Sequence, residues 1–478
     1  MSTKKEQPVD DDFEKETTKT SGGFGVRHAQ ASFWFLANVI GYCLRVCISI
    51  AIVEMTNTSS TQHDVYNWNS NEQSTILSAF FWGYTVMQIP SGYIARIWSA
   101  QKLLSFGMLI CGALNILTPI AAKYGGLMAV CACRVCMGLC QSCLLPCTHT
   151  LLSKWTNPNE RSRFGAFAYA GGQFGTVISF PISGLLGGSA AGWPSIFYFF
   201  GALAMVWSIT YFIFGYDSPS VHPRISNMEM QHIEDSSGTS DKEDASPDNT
   251  TKSLPWKAIF TSVPMWALII VHCGQNWGYW TLITEMPSYM KGVLKYDIAQ
   301  NGVMSALPYL TMWILSFPMS WLSDYALQKG VARGIVRKVC NSVAHWGPAI
   351  ALICLAAIPI ESSGVVVAIL AIAVGLNAGA LCGFQINHID LSPNFAGTMM
   401  SITNCIASVI AIIAPLICGV IVLDNENKTY WSIVFYISAV IYFIGNLVFI
   451  VFGKAEVQSW NDPTSSKIKK RSIKDSIA

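Results

Sequence analysis

Apolar residues in this chain gather into long unbroken runs, and polar residues fill the short stretches between them. A helix rises 1.5 Å per residue and the hydrocarbon core of a bilayer is about 30 Å thick, so about 20 apolar residues suffice to cross it. Twelve runs reach that length: 33–54, 74–95, 103–122, 126–152, 164–187, 193–215, 264–285, 302–323, 337–358, 364–386, 396–423 and 430–452. Strands in globular proteins are far shorter. The expected fold is therefore all-α, a polytopic membrane protein of twelve transmembrane helices. Six runs precede residue 216 and six follow residue 263. Between them lies "EDSSGTSDKEDASPDNTTKS", too polar to bury and read as part of a flexible linker. The predicted organisation is a tail (1–29), a six-helix half (30–215), a cytosolic linker (216–263), a second six-helix half (264–452) and a tail (453–478).

Composition agrees with this pattern. Of 478 residues, 52% are hydrophobic and 12% are charged, about half the charged share of a soluble domain. That excludes a disordered chain, a coiled coil and an ordinary soluble enzyme. The net charge of +2 is not gathered into a basic stripe, so no nucleic-acid partner is expected; the expected surroundings are a lipid bilayer. Residues 1–30 are polar and carry Asp10, Asp11, Asp12, Glu14 and Glu16, so no cleavable signal peptide is expected.

Charge also orients the chain. With the N-terminus in the cytosol, 24 of the 30 Lys and Arg residues fall in cytosolic segments. Only Lys123, Lys291, Lys295 and Lys428 fall outside. Positive residues favour the cytosolic side, so both termini are expected there. The sequons at Asn57 and Asn427 then lie in outer loops as candidate glycosylation sites, while Asn249 lies in the linker and stays bare.

Charges inside the spans are the candidate chemistry, because each costs roughly 2.5–3.5 kcal/mol to insert. Arg45 sits mid-span in "GYCLRVCISIAIVEM", and the nearest acid in its helix, Glu54, is nine residues away. A guanidinium facing a water-filled cavity offers a planar fork of donors to an anion; the competing reading is an ion pair with another helix. Arg134 in "CACRVCMGLC" is equally open to a structural role. His149 in "LLPCTHTLLSKW" suits proton relay near neutral pH or simple packing. Glu285 lies at the outer end of the seventh span, where water is expected to reach it. Gln275 and Asn276 lie deeper in that helix, beside His272 and Trp277. His388 and Asp390 in "NHIDLSP" sit at the cytosolic mouth of the tenth span, placed to cap or gate it.

All fifteen cysteines lie within spans, and Cys136, Cys140, Cys143 and Cys147 form one helical stripe. A single helix cannot surround a metal, so small packing residues are the expected reading and no metal site is predicted. In "YAGGQFGTVISFPISGLLGG", Gly171, Gly172, Gly175 and Gly184 permit close helix contact and Pro181 permits a bend.

Four stretches carry a family resemblance: "FFWGYTVMQIPSGYIA", "SKWTNPNERSRFGAFAYAGGQFGTVISFPISG", "MPSYMKGVLKYDIAQNGVMSALPYL" and "NHIDLSPNFAGTMMSITN". Over about 27–452 the chain resembles the anion–cation symporter family of the major facilitator superfamily. That family includes sodium–phosphate cotransporters, sialin and vesicular glutamate transporters. The resemblance is greatest to invertebrate inorganic phosphate cotransporters. It implies a major facilitator fold with a substrate site between the halves near the bilayer midplane. It further implies that Arg45 engages the substrate anion, that Arg134 belongs to a charge network, and that His149 takes part in coupling and gating. Tyr84, Gln275 and Asn276 join Arg45 as candidate substrate contacts. Gln141, Glu285, His388 and Asp390 join Arg134 and His149 as candidates for coupling or gating.

The departures from the family pattern are specific. Met137 and Gln141 stand where sialin-like members carry glutamates, Gln275 where glutamate transporters carry an arginine, and Leu77 where they carry a histidine. Ala95 replaces the aspartate common in the loop after the second span of facilitators. The expectation is a monomeric secondary transporter of a small anion, inorganic phosphate or an organic carboxylate, coupled to sodium or protons and needing no cofactor. Its membrane is the plasma membrane or an endolysosomal one. The alternatives are a proton- or voltage-driven organic-anion carrier of an organelle, a channel or receptor, a membrane-embedded enzyme, and a relative that has lost transport.

Overall fold

The computed structural model describes residues 25–57, 64–156, 160–234, 255–357, 362–393 and 395–461. Among the described residues regular structure is helical throughout. The first half comprises α1 (Val26–Met55), α2 (Ser70–Ile97), α3 (Ala100–Gln141), α4 (Leu144–Trp155), α5 (Arg161–Gly187) and α6 (Gly192–Phe214). Two short helices follow, α7 (Asn227–Glu234) and α8 (Trp256–Phe260). The second half comprises α9 (Val263–Gly292), α10 (Ile298–Gln328), α11 (Arg333–Ala357), α12 (Ser363–Leu376), α13 (Gly379–Cys382), α14 (Phe384–Leu391), α15 (Ala396–Ile421) and α16 (Lys428–Phe452).

Helix α3 is two crossings. Gly126, at φ +58°, reverses the chain where a side chain would be strained. The limbs then run antiparallel, so the Cys111 thiol donates to the Met137 carbonyl at 3.4 Å. The second limb continues through α4. Helices α12, α13 and α14 likewise form one broken crossing, interrupted between Asn377 and Gly383. Eight of the described helical segments are long and apolar enough to cross a membrane unaided. Helices α2, α5 and α9 fall outside that set, and they line the interface between the halves. Their polar residues are compatible with a membrane because they face protein or a cavity rather than lipid.

Local sequence sets the helix starts. Asn69 and Glu72 form a reciprocal capping box at the start of α2, each bond 2.9 Å. Ser99 caps α3 through the Lys102 amide, and Asp297 caps α10 through the Gln300 amide. Asn427 caps α16 by accepting from the Thr429 amide at 2.9 Å, while the Asn57 amide, at the end of α1, donates to Glu54. Both sequon asparagines thus lie on the face opposite the start of α1 and the end of α16; Thr58 and Ser59 lie outside the described residues.

The polar segment after α6 differs from the expected flexible linker. Glu229 of α7 is buried and accepts from the Val26 and Arg27 amides at 3.1 and 3.0 Å, capping the first turn of α1. Asp217 accepts from Ser99 and Gln101 and pairs with Lys154. The segment from residue 216 to 234 is therefore a strap bound to the first half. Its acidic residues satisfy helix N-termini, a use that low hydrophobicity alone does not reveal.

The halves meet chiefly through α5 with α10, α2 with α15, and α1 with α9. A side-chain atom placed on Gly184 would meet the backbone of Ile298 and Gly302, and one on Gly419 would meet Ser74. The Phe180 and Tyr309 rings lie 5.7 Å apart, and Phe81 and Trp280 lie 4.5 Å apart. These contacts lie at mid-depth or toward the face where α1 ends and α16 starts. Nearer the face where α1 starts and α16 ends, α4 and α14 each pack on helices of their own half. Among the described residues, the bundle is thus closed on one face and parted on the other.

Candidate functional site

Arg45 occupies the middle of α1 and is buried. Its Nε and Nη2 both donate to Gln141 Oε1, at 3.0 and 2.8 Å. The Gln141 amide nitrogen donates in turn to the Gly41 carbonyl at 2.9 Å. Gln141 thus bridges the fourth crossing to the first and holds the guanidinium with a neutral oxygen. Around the charge stand four rings: Tyr42, Phe80, Tyr84 and Trp280, with centroids 4.7, 4.9, 4.9 and 5.7 Å from the guanidinium carbon. Such cation–π contacts return about 0.5–2 kcal/mol each. They stabilise the cation without cancelling its charge.

Arg134 lies behind it, fully buried. Its Nη1 and Nη2 donate to the Leu44 and Arg45 carbonyls at 3.2 and 3.0 Å, and Phe80 lies 5.2 Å from its guanidinium carbon. Its Nε has no hydrogen-bond partner among the described residues. No carboxylate pairs with either arginine among the described residues. Both line a tight cavity of about 10 Å³ that also meets Ser49, Leu77, Phe81, Trp280 and Thr284. Two like charges beside one cavity create a positive well in a low-dielectric medium, where a small anion is the complementary ligand. The residues present offer anion donors, and nothing in this set suits a resident metal.

The other candidates distribute as follows. Tyr84 is in the ring cage, with its hydroxyl in reach of Arg45 and of Asn404 on α15. Gln275 points away from Arg45; its amide donates to Asn377 Oδ1 at 2.9 Å, an oxygen that also accepts from the Tyr442 hydroxyl at 3.2 Å. That bond holds α9 to the break in the tenth crossing. Asn276 is half-buried, one helical turn from Trp280 and thus on the face that meets Arg45. His149 is exposed and lies against the Tyr169 ring of α5, centroids 5.4 Å apart, on the parted side of the bundle. Asp390 pairs with Arg337 at 2.7 Å and Arg333 at 3.6 Å. His388 is bonded to the Thr403 hydroxyl and the Gln385 carbonyl, both at 2.9 Å. These two residues tie α14 to α11 and α15 within the second half.

Glu285 departs from its expected solvated position. It is 6% exposed, and its Oε1 accepts from Ser74 Oγ of α2 at 3.3 Å. The close approach of α2 to α9 and α15 on the closed face covers it. Apart from Tyr84, the ring cage was the part sequence reasoning missed. Tyr42 lies three residues before Arg45, and Phe80 and Tyr84 four apart, spacings that place each on a shared helix face, but which face meets the arginine is decided by packing between helices.

Comparison with known proteins adds the lineage. The Major Facilitator Superfamily model matches residues 34–415. A "Putative inorganic phosphate cotransporter" of Drosophila ananassae is 41% identical, covering 91% of this chain and 94% of its own. Human sialin is 34% identical, covering 91% and 90%. Among solved structures, a bacterial homolog of the human lysosomal transporter Spinster, inward-facing and unoccupied, superposes with a TM-score of 0.71 at 14% identity, covering 91% of this chain and 99% of that one. The xylose transporter XylE from E. coli, in its inward open conformation, gives 0.69 at 11%, covering 92% and 99%. At such identities the likeness establishes the fold.

Proposed function

The chain belongs to the Major Facilitator Superfamily, an integral membrane transporter and not an enzyme, and from that premise we propose that it carries a small anion by alternating access. The observation that carries this reading is Arg45, a buried guanidinium held by a neutral amide and four rings with no carboxylate partner among the described residues. An anion entering the cavity supplies the missing charge. Phosphate and organic carboxylates both present paired oxygens to a guanidinium fork, and the names of the Drosophila and human relatives point to that class.

The parted face, where α1 starts and α16 ends, is the cytosolic side in this reading, as the 24 to 4 distribution of Lys and Arg favours. The halves are 30–215 and 264–452, rocking about a site between them as a monomer. Transport is driven by sodium or protons. Cys136, Cys140, Cys143 and Cys147 serve packing; Asn57 and Asn427 are the outward glycosylation candidates. The membrane is the plasma membrane or an endolysosomal one. The second reading, a voltage- or proton-driven carrier of an organelle, is favoured by the likeness to sialin.

The test is uptake by purified protein in liposomes of labelled phosphate, urate, sialic acid and aspartate, under separately imposed sodium, proton and voltage gradients. Saturable, gradient-dependent uptake of at least one anion is expected. No uptake of any anion under any gradient would overturn the reading.

A further inference from the structure

The mechanism above leaves Glu285 without a task. It is a carboxylate buried in the closed face of the bundle, between the halves, and among the described residues its one hydrogen bond comes from Ser74 of the opposite half. No Lys, Arg or His pairs with it among the described residues. From α15 it faces the Cys418 thiol. Together with Thr281, one turn earlier, it lines a tight cavity of about 10 Å³, room for one small ion or water, with Tyr289, Leu370, Trp431 and Phe435. None of these neighbours carries a positive charge. The Thr281 hydroxyl is 3% exposed and has no hydrogen-bond partner among the described residues. A carboxylate and a hydroxyl with no partner among the described residues thus line one tight space.

An unpaired carboxylate charge sealed inside a membrane protein is costly. Sealing this face therefore requires that the charge be neutralised from outside the protein's own side chains. We propose that Glu285, with Thr281 and Ser74, binds the monovalent cation, a proton or a sodium ion, that permits the outer face to close. The cation enters while α2 and α9 are apart. Closure brings Ser74 onto the carboxylate and traps the neutral form. Opening removes Ser74 and readmits water, which lets the cation leave. Conformation and cation occupancy are then linked, as coupling demands. A proton needs only the carboxylate; a sodium ion also needs neighbouring oxygens, of which Thr281 and Ser74 supply two.

This inference rests on the carrier reading, yet its test needs no anion. Thermal unfolding of the purified full-length chain in detergent is measured in sodium chloride against choline chloride at fixed pH, and from pH 8 to pH 5.5 without sodium. The wild type is expected to gain a few degrees with one of the two cations, and Glu285→Gln, which preserves shape, to lose that gain. Glu285→Asp, which keeps the charge, is expected to retain it. Thr281→Val removes a sodium response and spares a proton response, which separates the two occupants. Equal responses in the wild type and Glu285→Gln, or no response in the wild type, would overturn the proposal. Failure of the anion reading shows elsewhere, as absent anion uptake by the wild type.

Discussion

At the scale of single residues, the functional claim is electrostatic. Arg45 was legible in the sequence because a guanidinium in an apolar run is expensive and its own helix offers no nearby acid. Gln141 was legible as a departure from a family pattern, but not as the group that grips Arg45, because that pairing joins residues 96 positions apart. The pairing makes a sharp prediction. Gln141→Glu places a carboxylate on the guanidinium and should raise the KM for the transported anion at least tenfold, a loss of about 1.4 kcal/mol. Gln141→Ala, which adds no charge, should cost less. Uptake kinetics of both variants check this, and an equal effect of the two would speak against charge competition. Arg45→Lys should abolish uptake with normal surface expression, since an ammonium cannot keep two bonds to Gln141 and present a planar fork. His149 stands on the parted side against Tyr169, so His149→Ala should change the pH profile of uptake; an unchanged profile leaves it a packing residue.

At the scale of elements, the twelve crossings were readable because run length is a one-dimensional property and bilayer thickness a fixed ruler. The strap of residues 216–234 was not, because its attachment is made by charge on helix ends. Burial disfavours the ionised form of Asp217, but the Lys154 ammonium and the hydrogen bonds from Gln101 and Ser99 outweigh it and hold the carboxyl below the usual range. A group lowered in the folded state stabilises at pH values above its unfolded pKa, about 3.9, and the contribution is lost as pH falls through the folded value. Asp217→Asn should therefore lower the unfolding temperature at pH 7, with the difference vanishing well below pH 4. Glu229→Ala, which uncaps α1, should cost about 1 kcal/mol at neutral pH; thermal unfolding of the two variants reads both effects. A strap that hangs free would make both substitutions silent.

At the scale of the whole molecule, the halves meet on one face and part on the other, an asymmetry that only the packing of α5 on α10 and α2 on α15 displays. The glycines of α5 announced close approach in the sequence without naming the partner. A Cβ built at Gly188 lies 3.9 Å from that of Ala299, within the span of a disulfide. The pair Gly188→Cys and Ala299→Cys should cross-link on oxidation, lock the closed face, stop uptake, and recover with reductant; continued transport by the cross-linked protein would contradict rocking about this interface. The whole account turns on a single charge at the centre of the bundle, so the most direct measurement is liposome uptake by wild type and Arg45→Ala side by side, at matched protein insertion and with every anion that the wild type carries. The account predicts that Arg45→Ala loses that uptake to background, and uptake undiminished in Arg45→Ala would contradict it.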